Sequence, residues 1–187
     1  ETSSKAINPA NWETLTLFGD AAVAVVVSYD KEGGSTLIKS QQKTYSQGVY
    51  NTIIEGGGVK NSFKDHPYNP EFYSFKMEGK KLLRLAKSKI PEFFQDFYQG
   101  TDYSMKNIDV FIPHQASKSG MLILNNIFKF APGCLKSTLH KYGNCIAASI
   151  PLTLVDAIDS GELKRGDICL LAGTSAGFAI GAVLLKY

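Results

Sequence analysis

Two apolar runs near the C-terminus limit the fold most. Ile168-Cys169-Leu170-Leu171-Ala172 and Phe178-Ala179-Ile180-Gly181-Ala182-Val183-Leu184-Leu185 are separated by five residues, Gly173-Thr174-Ser175-Ala176-Gly177. Each run is too short and too β-branched or small to be a long helix, and the glycine-rich break predicts a tight turn. The pair therefore reads as two buried strands laid antiparallel. Upstream, strand-like runs alternate with helical periodicity, which predicts α/β layering with helices packed on a sheet.

The remaining elements follow from the same pattern. Val23–Val27 is a β-branched run and predicts a buried strand, and Gly33-Gly34 marks a turn after it. Ser35–Lys39 reads as a further strand. Residues 41–73, rich in Gly, Asn, Tyr and Pro, read as an irregular excursion with short strands. Leu83, Ala86, Ile90, Phe93 and Phe97 recur at helical spacing within Met77–Tyr98, where Pro91 predicts a kink or a second helix start. Ile108–Ile112 reads as a strand closed by Pro113-His114. Helices are expected over Ala116–Phe130 and Ile146–Ser160, the latter stopped by Gly161.

Composition excludes several classes. The 187 residues are enough for one domain with a core, and 44% hydrophobic against 20% charged is ordinary globular usage. A net charge of +3 without a basic tract gives no case for nucleic acid. No apolar run approaches the ~20 residues of a membrane-spanning helix. The opening residues, Glu1-Thr2-Ser3-Ser4-Lys5, do not have the pattern of a signal peptide. Cys134, Cys145 and Cys169 are odd in number and match no metal spacing, so no metal site is expected. Cys145 and Cys169 read as small buried side chains, and a reducing cytoplasm is the expected setting. His66 and His140 belong to no motif and read as surface or packing residues.

Gly173–Gly177 also fits G-x-S-x-G, the nucleophile elbow of serine hydrolases. An elbow joins a strand to a helix, and its acid and histidine follow the serine. After Gly177 come only ten residues, none of them Asp, Glu or His, and they read as a strand. Ser175 is therefore read as a turn residue.

A second constellation fits better. Pro113-His114-Gln115-Ala116 ends a strand and opens a helix, and Gly143-Asn144-Cys145-Ile146-Ala147-Ala148-Ser149-Ile150-Pro151 opens another. Leu17-Phe18-Gly19-Asp20-Ala21-Ala22 and Met77-Glu78-Gly79 precede them. In this order the segments resemble the C-terminal half of β-ketoacyl-[acyl-carrier-protein] synthase III and its thiolase-fold relatives, from about residue 14 onward. The resemblance implies a thiolase-like layered α/β fold, a mixed sheet with packed helices. Residues 1–74 would be the end of the N-terminal half plus a connecting region, and 75–187 the C-terminal domain carrying His114 and Asn144.

A His at a strand end and an Asn at a helix start can each aim one N–H at a thioester oxygen. Enolate charge grows there when a malonyl thioester loses CO2. The resemblance implies that role for His114 and Asn144, a backbone N–H from Ala176 supported by Gly177, and substrate contacts around Gly79, Leu83, Gln115, Ala116, Ser117 and Phe178. It implies no resident cofactor. Coenzyme A or carrier-protein phosphopantetheine thioesters would be substrates, acyl carrier protein a partner and a homodimer the complete assembly. The family nucleophile is a cysteine in the N-terminal half, and no cysteine here has that setting. A partner half carrying it is expected, from the same gene or a separate chain. Ser117 and Ser119 stand where acetyl-CoA-using relatives carry Asn and Arg, and Leu83 replaces an aromatic residue. These departures point to a carrier-bound or unusual acyl donor, of fatty-acid or polyketide type. The alternatives are a non-catalytic partner subunit and, less in keeping with the sequence, the serine hydrolase.

Overall fold

The computed structural model describes residues 1–29, 31–65 and 69–187, so His66 lies outside the described residues. In chain order the elements are α1 (Trp12–Leu15), β1 (Thr36–Thr44), the two-residue strands β2 (Thr52–Ile53) and β3 (Lys76–Met77), and α2 (Gly79–Phe97). Then come β4 (Val110–Pro113), α3 (Lys118–Phe128), α4 (Leu139–Tyr142), α5 (Ser149–Asp159), β5 (Ile168–Ser175) and β6 (Ala179–Lys186).

The C-terminal pair folds as its pattern requires. β5 and β6 run antiparallel in unbroken register from Ile168↔Lys186 to Ser175↔Ala179. β1 adds antiparallel to the free edge of β6, and β4 lies parallel to β5, giving the order β1-β6-β5-β4. A parallel neighbour needs a crossover connection, and α3, α4 and α5 lie on the chain between β4 and β5. The mixed sheet agrees with the α/β expectation. β1 lies before residue 74 and pairs along its length with β6, so the sheet draws on both sides of that expected boundary.

Strand alternation sends side chains to two layers. Phe111, Leu170, Ile180 and Leu184 pack with Ile90, Phe93, Phe94 and Phe97 of α2. Val110, Ile112 and Cys169 pack on the other side with Ala157 of α5 and Leu163. The sheet is thus sandwiched between α2 and α5. Pro91 neither starts a second helix nor divides α2, which is continuous from Gly79 to Phe97. Pro91 is exposed, as is Lys87 one turn earlier, so the carbonyl left without its helical donor lies on the solvent side.

The clearest departure is Val23–Val27. The run forms no strand, and Val25, Val26 and Val27 are 60%, 94% and 90% exposed. Extended backbone becomes a strand only by pairing, and no described strand pairs with this one. β1 departs the other way. It reaches Thr44, well past the Lys39 limit that its polar sequence suggests, because β6 offers it a partner throughout. The expected 146–160 helix splits into a 3-10 turn at Ile146–Ala148 followed by α5. Gly161 follows with a φ of +71°, the left-handed stop that the sequence predicts.

Candidate active site around His114 and Asn144

His114 stands one residue past β4, and the ladder carries on through it. Its N–H donates to the Ala172 carbonyl at 2.8 Å, extending the parallel pairing with β5. Gly173 makes this approach possible. A Cβ there would lie 3.0 Å from the His114 Cβ and 3.1 Å from Ile150 Cδ1. The first glycine of the G-x-S-x-G pattern thus seats His114 against β5. The signal for it was in the sequence, but it was attached to the turn.

Asn144 is fixed by main chain from opposite ends of the protein. Its N–H donates to the Leu17 carbonyl at 2.8 Å, and its carbonyl accepts from Gly19 N–H at 3.1 Å. The backbones meet so closely that two glycines are required. A Cβ on Gly19 would sit 2.0 Å from the Tyr142 carbonyl oxygen. One on Gly143, whose φ is +69°, would sit 2.9 Å from the Leu17 oxygen. The sequence marks Leu17–Ala22 as a family segment, but its role as the anchor of Asn144 could not be read from it.

The Asn144 side chain, 6% exposed, is oriented as well as placed. Its Oδ1 accepts from the Ile146 N–H at 2.9 Å, which leaves Nδ2 as the donor end. Nδ2 makes one long bond, 3.4 Å, to the Ala116 carbonyl, and an amide nitrogen carries two hydrogens. Ile146 holds a φ of 49°, a left-handed value that is costly for a β-branched residue. The same Ile146 backbone bears on His114. Burial holds the imidazole below the usual value of 6.5, and the nearby Ile146 backbone acts in the opposite direction. His114 and Asn144, thirty residues apart in the chain, therefore both lie beside Ile146. Ile146 was not singled out from the sequence, since nothing in a lone isoleucine announces a positive φ.

The other expected positions divide. Ala116 supplies the carbonyl beside Asn144, and Ser117 caps α3, its hydroxyl accepting from Gly120 N–H at 3.1 Å. Gly79 and Leu83 lie exposed on the first turns of α2. Ala176 is exposed at the β5–β6 turn, and Gly177 takes a φ of +115° there. Gln115 and Phe178 are side chains of the interior. Gln115 is wholly buried, with both ends of its amide bonded inside the protein. Phe178 is 2% exposed and packs on Tyr45 at a ring-centroid distance of 6.2 Å. Both side chains pack inside the protein in this structure.

Ser175 ends a strand that turns into another strand, so no elbow forms. Among the described residues its Oγ reaches only the neighbouring Ala176 carbonyl, at 3.5 Å. The three thiols are buried. Burial pushes the Cys134 and Cys145 thiols up, and the Cys169 thiol up to about 12. Cys145 Sγ lies against the Tyr142 carbonyl at 3.3 Å. A thiol with a raised pKa is a poor nucleophile at neutral pH.

The chain is similar to known proteins along its length. Residues 99–187 match the family model of the 3-oxoacyl-[acyl-carrier-protein] synthase III C-terminal part, and residues 1–46 match that of 3-oxoacyl-[acyl-carrier-protein] synthase III. The chain belongs to the β-ketoacyl-[acyl-carrier-protein] synthase III-like family. A synthase III of Rickettsia bellii is 31% identical over 181 residues, which cover 95% of this chain and 54% of that protein. A synthase III of Rickettsia typhi is 33% identical over 177 residues, covering 93% and 52%. The crystal structure of the synthase III from Aquifex aeolicus superposes with a TM-score of 0.78 at 28% identity, covering 98% of this chain and 55% of that one. The Pseudomonas aeruginosa structure, with a TM-score of 0.79 at 22% identity, adds support for the fold, which is thiolase-like. The chain spans about half the length of the relatives it matches.

Proposed function

We propose that this chain supplies the malonyl-handling half of a condensing acyltransferase, working with a half that carries the nucleophilic cysteine. The acyl group is loaded on that cysteine from a coenzyme A or carrier-protein thioester. The carbonyl oxygen of a malonyl thioester lies between the His114 imidazole N–H and the free Asn144 Nδ2 hydrogen. Loss of CO2 leaves an electron pair that spreads to this oxygen as an enolate. The two donors are already oriented, so the growing charge is stabilised without reorganisation. The enolate carbon then attacks the cysteine-bound acyl carbonyl. The Ala176 N–H supports the oxyanion formed there, and the thiolate leaves. Burial disfavours the charged ring, so His114 offers the thioester oxygen the single N–H of a neutral imidazole.

The observation that carries this reading is the buried Asn144 amide beside the segment that bears His114, its nitrogen reaching the Ala116 carbonyl and its oxygen held by Ile146 so that the nitrogen is the donor end. Acyl carrier protein as the partner, a homodimeric assembly, a cytoplasmic setting and a fatty-acid or polyketide-type pathway belong to the same proposal. His114→Ala and Asn144→Ala, each made in the complete assembly, are expected to slow malonyl decarboxylation by about a hundredfold or more. Radiolabelled CO2 release measures it. Unchanged release in both variants would overturn the proposal.

A further inference from the structure

Buried polar side chains link the segment that carries His114 to the segments on either side of Asn144. Gln115, next to His114, uses all of its amide. Nε2 donates to the Pro113 carbonyl at 2.8 Å and, more weakly, to the Lys136 carbonyl at 3.4 Å. Oε1 accepts from the Thr138 N–H at 3.0 Å and from the Ser137 hydroxyl at 3.2 Å. Thr138 immediately precedes α4, which ends at the turn bearing Gly143 and Asn144.

From Thr138 the chain of bonds continues. Its Oγ1 lies 2.7 Å from Thr153 Oγ1, and Thr153 Oγ1 donates to the Ser149 carbonyl at 2.8 Å. A hydroxyl has one hydrogen, and that of Thr153 is committed to Ser149. The direction is therefore fixed: Thr138 donates to Thr153, and Thr153 donates to the first turn of α5. Gln115, Thr138 and Thr153 are 0%, 3% and 1% exposed, so no water competes along this route. It starts at the neighbour of His114 and ends at Ser149, the first residue of α5, just beyond the Asn144–Ala148 turn. In parallel, the direct Asn144 Nδ2 to Ala116 contact is only a 3.4 Å bond.

We infer that Gln115, Thr138 and Thr153 are positioning residues that set the spacing of His114 and Asn144. They touch no substrate. They fix the start of α4 and the first turn of α5 to the end of β4, and so hold the two donors in register. Short, buried, fully partnered bonds suit this task better than the long Ala116 contact, because partners in a dry interior tolerate little displacement.

The inference rests on the donor-pair reading of His114 and Asn144, and its test separates the two. Replacing both threonines, Thr138→Val with Thr153→Val, keeps shape and leaves neither hydroxyl orphaned, so the fold is expected to survive. In the complete assembly, NMR of the His114 ring and the Asn144 side-chain amide reads the geometry without needing turnover. The double valine variant is expected to shift both sets of resonances. It is also expected to lower kcat for malonyl decarboxylation about tenfold, with KM within about twofold. Thr153→Ser, which keeps the hydroxyl, is expected to restore both readouts. Gln115→Met should behave like the valine pair. If the valine pair lowers only the melting temperature and leaves the resonances and kcat unchanged, the brace is overturned. If the resonances shift while the unaltered assembly decarboxylates nothing, the functional proposal fails and the brace stands.

Discussion

Leu170 and Val26 lie in runs of similar apolar character and meet opposite fates. Leu170 is fully buried, with β4 paired on one side of its strand and β6 on the other. Val26 is 94% exposed in a segment with no strand beside it among the described residues. β-branched and apolar composition marks a segment as suited to a sheet, but pairing decides whether it becomes one. Neighbours, not composition, separate these two regions.

The contrast can be broken by measurement. Leu170→Ala is expected to lower the unfolding free energy by about 2–5 kcal/mol, since it opens a cavity between the sheet and α2. A urea titration checks it, and a cost under about 1 kcal/mol would show a looser core than the packing implies.

His114 provides an intermediate effect. Burial lowers its pKa in the folded state, so the unfolded chain binds the proton more tightly. Its contribution is therefore fully present above the ordinary value of 6.5 and is lost as pH falls from there through the lower, folded value. Stability measured downward from pH 7 should fall, and His114→Gln should flatten that component. An identical slope in the variant would assign the loss to other groups.

Val26→Thr is the smallest, within about 0.5 kcal/mol, as for an exposed position without partners. A cost matching that of Leu170→Ala would mean that the segment is covered in solution, and the comparison would collapse.

The sheet was legible wherever residues carried their own signal. β4, β5 and β6 are apolar runs bounded by Pro, Gly or charge, and α2 shows its buried stripe at helical spacing. His114 and Asn144 were visible through the short segments around them. β1 was legible only in its first residues, because Lys39, Gln41, Gln42 and Lys43 give no apolar alternation and the strand is held by backbone pairing. The hydrogen-bonded setting of Gln115 was hidden for a related reason. Its place beside His114 suggests substrate contact, but whether an amide faces a ligand or the interior depends on residues 136–138, which come together with it only on folding. The same holds for Ile146, whose strained backbone is imposed by the turn around Asn144.

The contact between Leu17–Gly19 and Asn144 also bears on the order of folding. It joins segments far apart in the chain and closes a long loop, as the β1–β6 pairing also does. Contacts of high sequence separation carry the greatest closure cost and are rewarded only after the intervening chain has condensed. The β5–β6 hairpin, by contrast, closes across three residues, Ala176–Phe178. The hairpin can therefore form early and serve as the template, whereas Asn144 reaches its final position only after the chain between has condensed. On this view the site becomes native after the hairpin.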